Sequence, residues 1–568
     1  MQKMIQTLPI NFERLKRPLI ICGPLTSLAI SPTMNFDPIN LVKTLVYVTI
    51  AFYCMGILLG NPKKNFNNLN RNFRFSIIGF IVFLTLPLFL TSAPIEQQFW
   101  GNFGRNTGYL AYLSLLFLTI SCSAIKEIQF YRNLLLALIL TTIPMSLYCL
   151  IQIAKLDPFN WSTFDIFGTL GNANFLSAFL GMGTIGSVVL SFSNAISIRS
   201  RIGLALLALL AFAITVRTNS IQGPLIAVAG VGIAGFFIIR SNKVLKKFRY
   251  IYLLGGISGF GLALAALFNM GPLARIIFQP SVLYRADYMH AGWAMTIAHP
   301  FTGVGLDSYG DWYRQLRGLI SATRTGPERT SNTAHNIFLD ISSGGGFPLL
   351  LSYLILLFVA FFAAIKHFRK STKFDPVFVS IFSIWCAYQI QSAISINQVG
   401  VGVWGWLFTG ALLGYPFTDE QSIVKSAVSS KLQRSKKTKS RKVTLDASSG
   451  VTSLVMLIVG FGLAFVPWNA DHRYYSAFVS RDLNAMMASV QVTGSTSWHI
   501  SQVIEAAMKN NFTAQAKSMD DFLLKRNPRD FFGWRVRYFL TTSTPEEKTE
   551  ALNRMRVLDP YNPEIPKS

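Results

Sequence analysis

Charge is scarce in this chain. Asp, Glu, Lys and Arg make up only 14% of its 568 residues, where a soluble protein carries about a quarter. Acids are the scarcest, 26 against 52 basic residues. With a mean hydropathy of +0.40, the chain reads as an all-α polytopic membrane protein, and the length-per-domain rule for soluble proteins does not apply to it. Cysteine is also scarce. Cys22, Cys54, Cys122, Cys149 and Cys386 all fall inside apolar segments with no CxxC pair, which excludes a disulfide framework or cysteine zinc site and leaves buried, inert thiols. No cleavable signal peptide is evident, because the first apolar stretch is short, broken by Gly23 and Pro24, and has no small-residue cleavage site. The formal charge of +26 would suit a nucleic-acid binder. The basic residues, however, come in short runs between apolar stretches, the pattern of cytoplasmic loops, so nucleic acid is not expected as a partner.

Apolar segments of roughly spanning length recur near 18–31, 41–60, 75–92, 107–124, 133–153, 172–191, 202–216, 223–240, 251–269, 347–365, 375–393, 399–415 and 451–468. They predict a bundle of about 12–13 transmembrane helices, some short enough to require tilting or local thinning of the bilayer. One alternating set of connections is basic: the N-terminus, 61–74, Lys126 with Arg132, Arg199 with Arg201, 241–249, 366–373 and 431–442. The other set, 32–40, 93–106, 154–171, 217–222 and 394–398, carries only Arg105, Lys155 and Arg217. The asymmetry never changes phase. The positive-inside rule therefore puts the basic set in the cytoplasm, and loop 270–346 and the C-terminal tail outside. The expected organisation is a bundle over 1–415, a basic cytoplasmic linker over 416–450 that anchors at the anionic leaflet, a last span at 451–468, and an outward helical module over 469–568. Within that module, RNPRDFFGWRVRYF and RVLDPYNPEI have the Pro-punctuated look of tetratricopeptide-type repeats, about 32 residues apart.

Loop 270–346 is the polar island of this chain. It holds His290, His299 and His335, three of six histidines, along with six arginines and no lysine. His335, in SNTAHNIFLD just before an apolar span, can act as a base or simply pack and hydrogen-bond at a helix start. Arg285, in SVLYRADY, can fork onto a phosphate or pair with Asp287. Trp293 follows in HAGWAMTIAHP, a run that reads as a helix ended by Pro300. Arg217 closes the seventh span, Gln222 opens the eighth, and Arg105 sits before the fourth. Either arginine alone could be a snorkelling anchor. With Arg285 they form a sparse set of cations opposite the basic face, which suits an anionic ligand such as a lipid-linked diphosphate. Asn172 and Asn174, in GTLGNANFLSAFL, can contact a sugar or cap a helix. Asn336 and Trp293 are further candidates for sugar or acceptor contact. The loop's acids, Asp287, Asp307, Asp311, Glu328 and Asp340, are dispersed rather than set as metal ligands, so no metal and no cofactor is expected.

The strings HPFTGVGLDSY (299–309), AHNIFL (334–339) and Gly344–Gly346, with Arg285, Trp293 and GTLGNANFLSAFL, resemble the O-antigen ligase and polymerase family over roughly residues 100–415. The resemblance implies a GT-C-like glycosyltransferase of the cytoplasmic (inner) membrane. Such an enzyme takes a glycan from undecaprenyl diphosphate on the outer face and passes it to an acceptor hydroxyl on a glycan, a lipid or a protein. It maps the family's histidine onto His335 and its loop arginine onto Arg285. Where many members carry Ser-Arg-Gly at the start of a span, this chain has Ser220-Ile221-Gln222-Gly223, with Arg217 one turn earlier. His335 would be the base, and Arg285, with Arg217 or Arg105, would stabilise the departing diphosphate. A flippase for lipid-linked glycans is the competing class. It should carry charges at mid-membrane depth and internal repeat symmetry, and neither is visible in the sequence. A non-catalytic scaffold would not need the Arg/His loop.

Overall fold

The computed structural model describes residues 11–417 and 447–566, apart from 68, 160, 162–165 and 372. The basic run 431–442 therefore lies outside the described residues. All regular structure among the described residues is helical. The main helices, numbered here in chain order, are α1 (Asn11–Leu28), α2 (Asn40–Leu59), α3 (Arg71–Leu90), α4 (Tyr109–Ala124), α5 (Ile128–Ile153), α6 (Ala173–Ser191), α7 (Ile198–Arg217), α8 (Gln222–Ser241) and α9 (Leu245–Leu267). There follow α10 (Pro280–Ala298), α11 (Tyr309–Leu316), α12 (Ile337–Lys370), α13 (Pro376–Ser392), α14 (Val399–Gly414) and α15 (Ala447–Val479). The last five are α16 (Leu483–Val490), α17 (Ser497–Lys509), α18 (Thr513–Arg526), α19 (Phe531–Phe539) and α20 (Pro545–Leu558). Among the described residues, nine helices are long and apolar enough to cross a membrane: α2, α3, α5, α6, α7, α8, α9, α12 and α15. The shorter apolar α4 and α14, with α1 and α13, occupy the other four predicted segments.

At the centre of the bundle stands α14, every residue of which is buried. It packs against α1, α4, α12 and α13. Its glycines make the close approach: a Cβ on Gly405 would sit 2.1 Å from the Tyr388 ring, and one on Gly410 would sit 2.5 Å from the Thr119 carbonyl. By contrast, only 6% of the α9 window is covered by protein, so its apolar side chains are left to lipid. The buried cation of α2 is structural. Lys43 Nζ donates to the carbonyls of Ser27 (2.9 Å) and Ala29 (2.8 Å), closing the C-terminal end of α1.

Connections from the two sets converge at opposite ends. At the basic end, Arg240 donates to the Phe368 carbonyl (2.8 Å), and Lys16 pairs with Glu127. At the other end the turn before α2, the loop 101–108, the start of α6, the 270–336 segment and the loop 393–398 gather together. The polar island is itself largely helical. Pro280 starts α10, and His299 ends it ahead of Pro300. The following GVG turn lies on α12, with Val304 N–H donating to the Ser343 carbonyl (2.7 Å) and Phe347 N–H to the Pro300 carbonyl (2.8 Å). Gly303, at φ +63°, allows that contact, since a Cβ there would meet Gly344 at 2.4 Å. Gly346 (φ 72°, ψ −178°) breaks α12 into a short piece and a long one. The long piece begins where the sequence places the span.

The last span does not stop at 468. The helix α15 carries it on to Val479, through Pro467, so the boundary at 468–469 falls inside one continuous helix. Helices α16–α20 then pack each on the next. The module docks on the site end of the bundle. Phe103 stacks on Trp498 (3.8 Å, 2°), Asp37 N–H donates to Asp471 (3.2 Å), and Arg526 pairs with Glu96. The deepest clamp is ionic. Asp559 accepts from Arg317 Nη2 at 2.7 and 2.8 Å and from Arg314 Nη1 at 2.9 Å, with Arg317 and Asp559 each only 1% exposed. Breaking a buried pair strands a charge, at about 3–5 kcal/mol. Asp559→Ala should therefore speed amide exchange in 309–330 and 531–565. Unchanged protection there would contradict the clamp.

Candidate active site

The site is built on a carboxylate. Asp307, the Asp of GVGLDSY, takes a left-handed backbone (φ 52°) and is buried between two loops. Its Oδ2 accepts from Asn102 N–H (2.7 Å) and Thr107 N–H (3.2 Å), and its Oδ1 from the Thr107 hydroxyl (3.2 Å). Burial raises its pKa, against the pull of these bonds and of Arg105. The 101–108 loop is thereby tied to the GVG turn, and Arg105 within it is aimed across the end of the bundle. Arg105 Nε donates to Asn332 Oδ1 (2.9 Å). Burial lowers the guanidinium's pKa while Asp307, Asp340 and Asp37 support its charge.

His335 stands beside Asn332, two residues before α12, also with a left-handed backbone (φ 52°). Its N–H donates to Thr333 Oγ1 (2.8 Å), and Asn336 next to it caps α12 by accepting from Phe338 and Leu339 N–H. The imidazole stacks on Tyr288 (5.2 Å, 28°), and its ring nitrogens have no hydrogen-bond partner among the described residues. Burial, then Arg105 and Arg285, push its pKa down to about 3. At neutral pH the ring is therefore uncharged, with a lone pair available.

Arg285 projects from α10 toward the start of α8. With the Gln222 amide turned so that its oxygen faces the guanidinium, Oε1 accepts from Nη2 (2.7 Å) and Nη1 (2.9 Å), and the amide nitrogen donates to Gln391 Oε1 (3.2 Å). That orientation is the one in which donors meet acceptors. Burial lowers the Arg285 pKa, and no carboxylate pairs with it among the described residues. Asp287 instead pairs with Arg324 (3.2 Å).

Two cavities meet at His335. The first, about 310 Å³, lies over the ends of α2 and α6 and is lined by Arg105, Arg285, His335, Asn172, Asn174 and Asn397, among others. The second, about 510 Å³, is bounded by the 310–335 segment and α19. Arg105, Asn332 and His335 belong to both walls.

Of the candidate residues, the structure brings Arg105, Arg285, Gln222, His335, Asn172 and Asn174 together. Asn172 also caps α6 by accepting from Asn174 N–H (2.8 Å), and Asn174 Oδ1 accepts from the Ser220 hydroxyl (2.8 Å). Arg217 is exposed at the end of α7 and lines neither cavity. Trp293 is 50% exposed, packs edge-on against Phe347, and lines neither. Asn336 commits its side-chain oxygen to the cap. Asp307, Asn332, Tyr288 and Gln391 were not singled out from the sequence. Asp307 and Asn332 lie inside the motif strings, and Tyr288 lies one turn from Arg285, but the single sequence gives no sign of Gln391. Among the described residues, no group of three or more His, Cys, Asp or Glu is placed to hold a metal ion.

Residues 186–354 match the O-antigen ligase family. The matched segment contains Arg217, Gln222, Arg285 and His335. It lies within the 100–415 stretch of resemblance, leaving Arg105 and the C-terminal module outside. No curated protein matches the chain.

Proposed function

We propose that this protein is a glycosyltransferase of the cytoplasmic membrane. It would take a glycan from undecaprenyl diphosphate, held in the first cavity at the outer face, and pass it to an acceptor hydroxyl. The observation that carries the reading is two guanidiniums, Arg105 and Arg285, beside an uncharged histidine at the end of a membrane-spanning bundle. Arginine suits a diphosphate at such a surface, because its fork binds two oxygens and its charge survives partial burial. The polyprenyl chain would lie along the apolar helices below. A flippase fits less well. The charged groups of the site collect at one end of the bundle, and the cation within α2, Lys43, caps α1.

In the step itself, an acceptor O–H enters from the second cavity and gives its proton to His335. Its oxygen bonds to the anomeric carbon as the bond from that carbon to the diphosphate oxygen breaks. The electron pair leaves with the diphosphate, which Arg105 and Arg285 stabilise. The imidazolium then releases its proton to the diphosphate or to water. A ring with a pKa of about 3 is a weak base. A bound diphosphate offsets the part of that depression that comes from Arg105 and Arg285 and leaves the part that comes from burial, so donor binding strengthens the base. The leaving group is already good and the cations are built in, so the scheme needs no metal. Ligase, polymerase and protein glycosyltransferase all use this same step and differ in the acceptor.

His335→Ala should slow transfer from a lipid-diphosphate donor by about 10²–10⁴-fold in a protein that still inserts and folds, and near-normal transfer would remove the histidine from the mechanism. Arg285→Ala should raise the donor KM by about tenfold or more and barely move the acceptor KM, and an unchanged donor KM and rate would count against it. The base works when uncharged, so activity is lost as pH falls through the His335 pKa. The acid limb of kcat/KM, which reports the free enzyme, should therefore lie well below that of kcat, which reports the donor complex. Arg105→Gln should move the kcat/KM limb upward. Coincident limbs near the ordinary histidine value of about 6.5 would contradict that strengthening. EDTA should leave turnover intact, whereas a chelator that stops it, with rescue by a divalent cation, would show a metal requirement.

A further inference from the structure

We propose that the second cavity is a carbohydrate site, that it receives the acceptor as a saccharide chain, and that the C-terminal module forms the wall that selects it. This rests on the transfer reading above. The cavity's position comes first. His335, Arg105 and Asn332 separate it from the donor cavity, so a hydroxyl entering here reaches the ring from the side opposite the diphosphate, as a displacement at the anomeric carbon requires. The walls come second. None of the lining residues belongs to a helix long and apolar enough to span a membrane. They come from the 102–105 and 310–335 segments, Tyr288, the module's α19 with the two residues before it, and Leu558 of α20. An acceptor carried in the bilayer would need an apolar path that these walls do not provide.

The chemistry of the lining points to sugar rather than to a peptide or lipid. Arg535 of α19 pairs with Glu328 of the loop across the cavity, and Arg314 approaches Glu328 at 3.8 Å. Guanidinium–carboxylate pairs at the cavity rim offer adjacent donors and acceptors, which vicinal hydroxyls satisfy in both directions. Phe532, half-buried in the wall, supplies a ring surface for the C–H face of a pyranose, beside Phe531, which lies beneath Arg314, and Tyr288, which stacks on His335. At about 510 Å³ the space falls in the range of small-ligand sites, roughly 300–1,000 Å³, and it is too confined for a folded protein partner. The module is held over the cavity by the Asp559 clamp to Arg314 and Arg317, so the wall is part of the resting structure.

The test measures binding without donor. The probe is the size-fractionated oligosaccharide released by mild acid from the envelope polysaccharide of the expressing cell. Its binding to full-length, detergent-solubilised protein is followed by saturation-transfer NMR. Two variants address the cavity. Glu328→Gln with Arg535→Gln removes an exposed pair that contributes little to folding. Gly310→Leu puts a side chain into the cavity from a helical position, where the Cβ meets Asn332 only at 3.4 Å. Both should bind the saccharide about tenfold more weakly, and Arg285→Ala, which alters only the other cavity, should bind it as wild type does. The proposal is overturned if wild type does not bind, if both cavity variants bind normally, or if Arg285→Ala alone loses binding. It is also overturned if wild type ignores the saccharides but glycosylates a polypeptide whose glycosylation survives Gly310→Leu. Saccharide binding that follows this pattern in a protein with no transferase activity would sink the transfer reading and leave the carbohydrate site standing.

Discussion

The arrangement depends on two guanidiniums held close together, neither of them in a direct ion pair with a carboxylate among the described residues, with Asp307, Asp340 and Asp37 near enough to support the charge of Arg105. Arg105 and Arg285 come from opposite sides of the site end of the bundle and converge on one histidine, and each is oriented by a neutral amide, Asn332 for one and Gln222 for the other. The Asp307 carboxylate, which holds the Arg105 loop in place, uses its oxygens on Asn102 and Thr107. The result is a pocket with two guanidiniums and one carboxylate, Asp37, in its walls at a low-dielectric surface, where charge acts strongly. Burial, and then the same two cations, keep the His335 ring uncharged. An anion entering the pocket offsets the cations' share of that effect, which is why donor binding and base strength are coupled in this account.

The backbone serves that electrostatic arrangement. Gly303 and Gly346 take conformations that other residues adopt only under strain. They let the GVG turn lie directly on α12, so that Asp307 and His335 are fixed from the same helix-and-turn unit. The C-terminal module adds a second layer. Its buried clamp at Asp559 costs desolvation, and what that clamp provides is a fixed position for α19 opposite His335.

Much of this was legible in the chain. All thirteen apolar segments are helical, because a run of that length and composition has no other way to satisfy its backbone in lipid. At one end Arg240 reaches Phe368 and Lys16 reaches Glu127, and at the other Asn40 reaches Gly104. Arg285, Arg105 and His335 stood out because ionisable residues are rare in so apolar a chain. The places where structure and sequence diverge have physical reasons. Arg217 was attractive because it lies one turn from the Ser-Ile-Gln-Gly turn, yet Gln222 there is an amide partner for Arg285, and that pairing depends on α8 and α10 meeting in space. Trp293 shares a helix with Arg285, but eight residues is a little over two turns and tertiary packing sends the two side chains to different surroundings. Asn336 looks like a sugar contact in sequence, but the residue that opens a helix in a polar loop has backbone N–H groups to satisfy, whereas Asn172 caps α6, one of the two roles its position suggested, and still lines the first cavity. The boundary at 468 followed a change in composition that the helix itself ignores.

The most direct test is the pKa of His335 with and without a diphosphate. In full-length protein carrying ¹³C-labelled histidine, the His335 signal can be assigned by difference from His335→Ala and titrated in the empty protein and with undecaprenyl diphosphate present. The ring should stay uncharged far into acid when the site is empty, and its pKa should rise by about one unit or more when the diphosphate binds, a rise that Arg285→Ala abolishes. A pKa that the diphosphate leaves unchanged would contradict it.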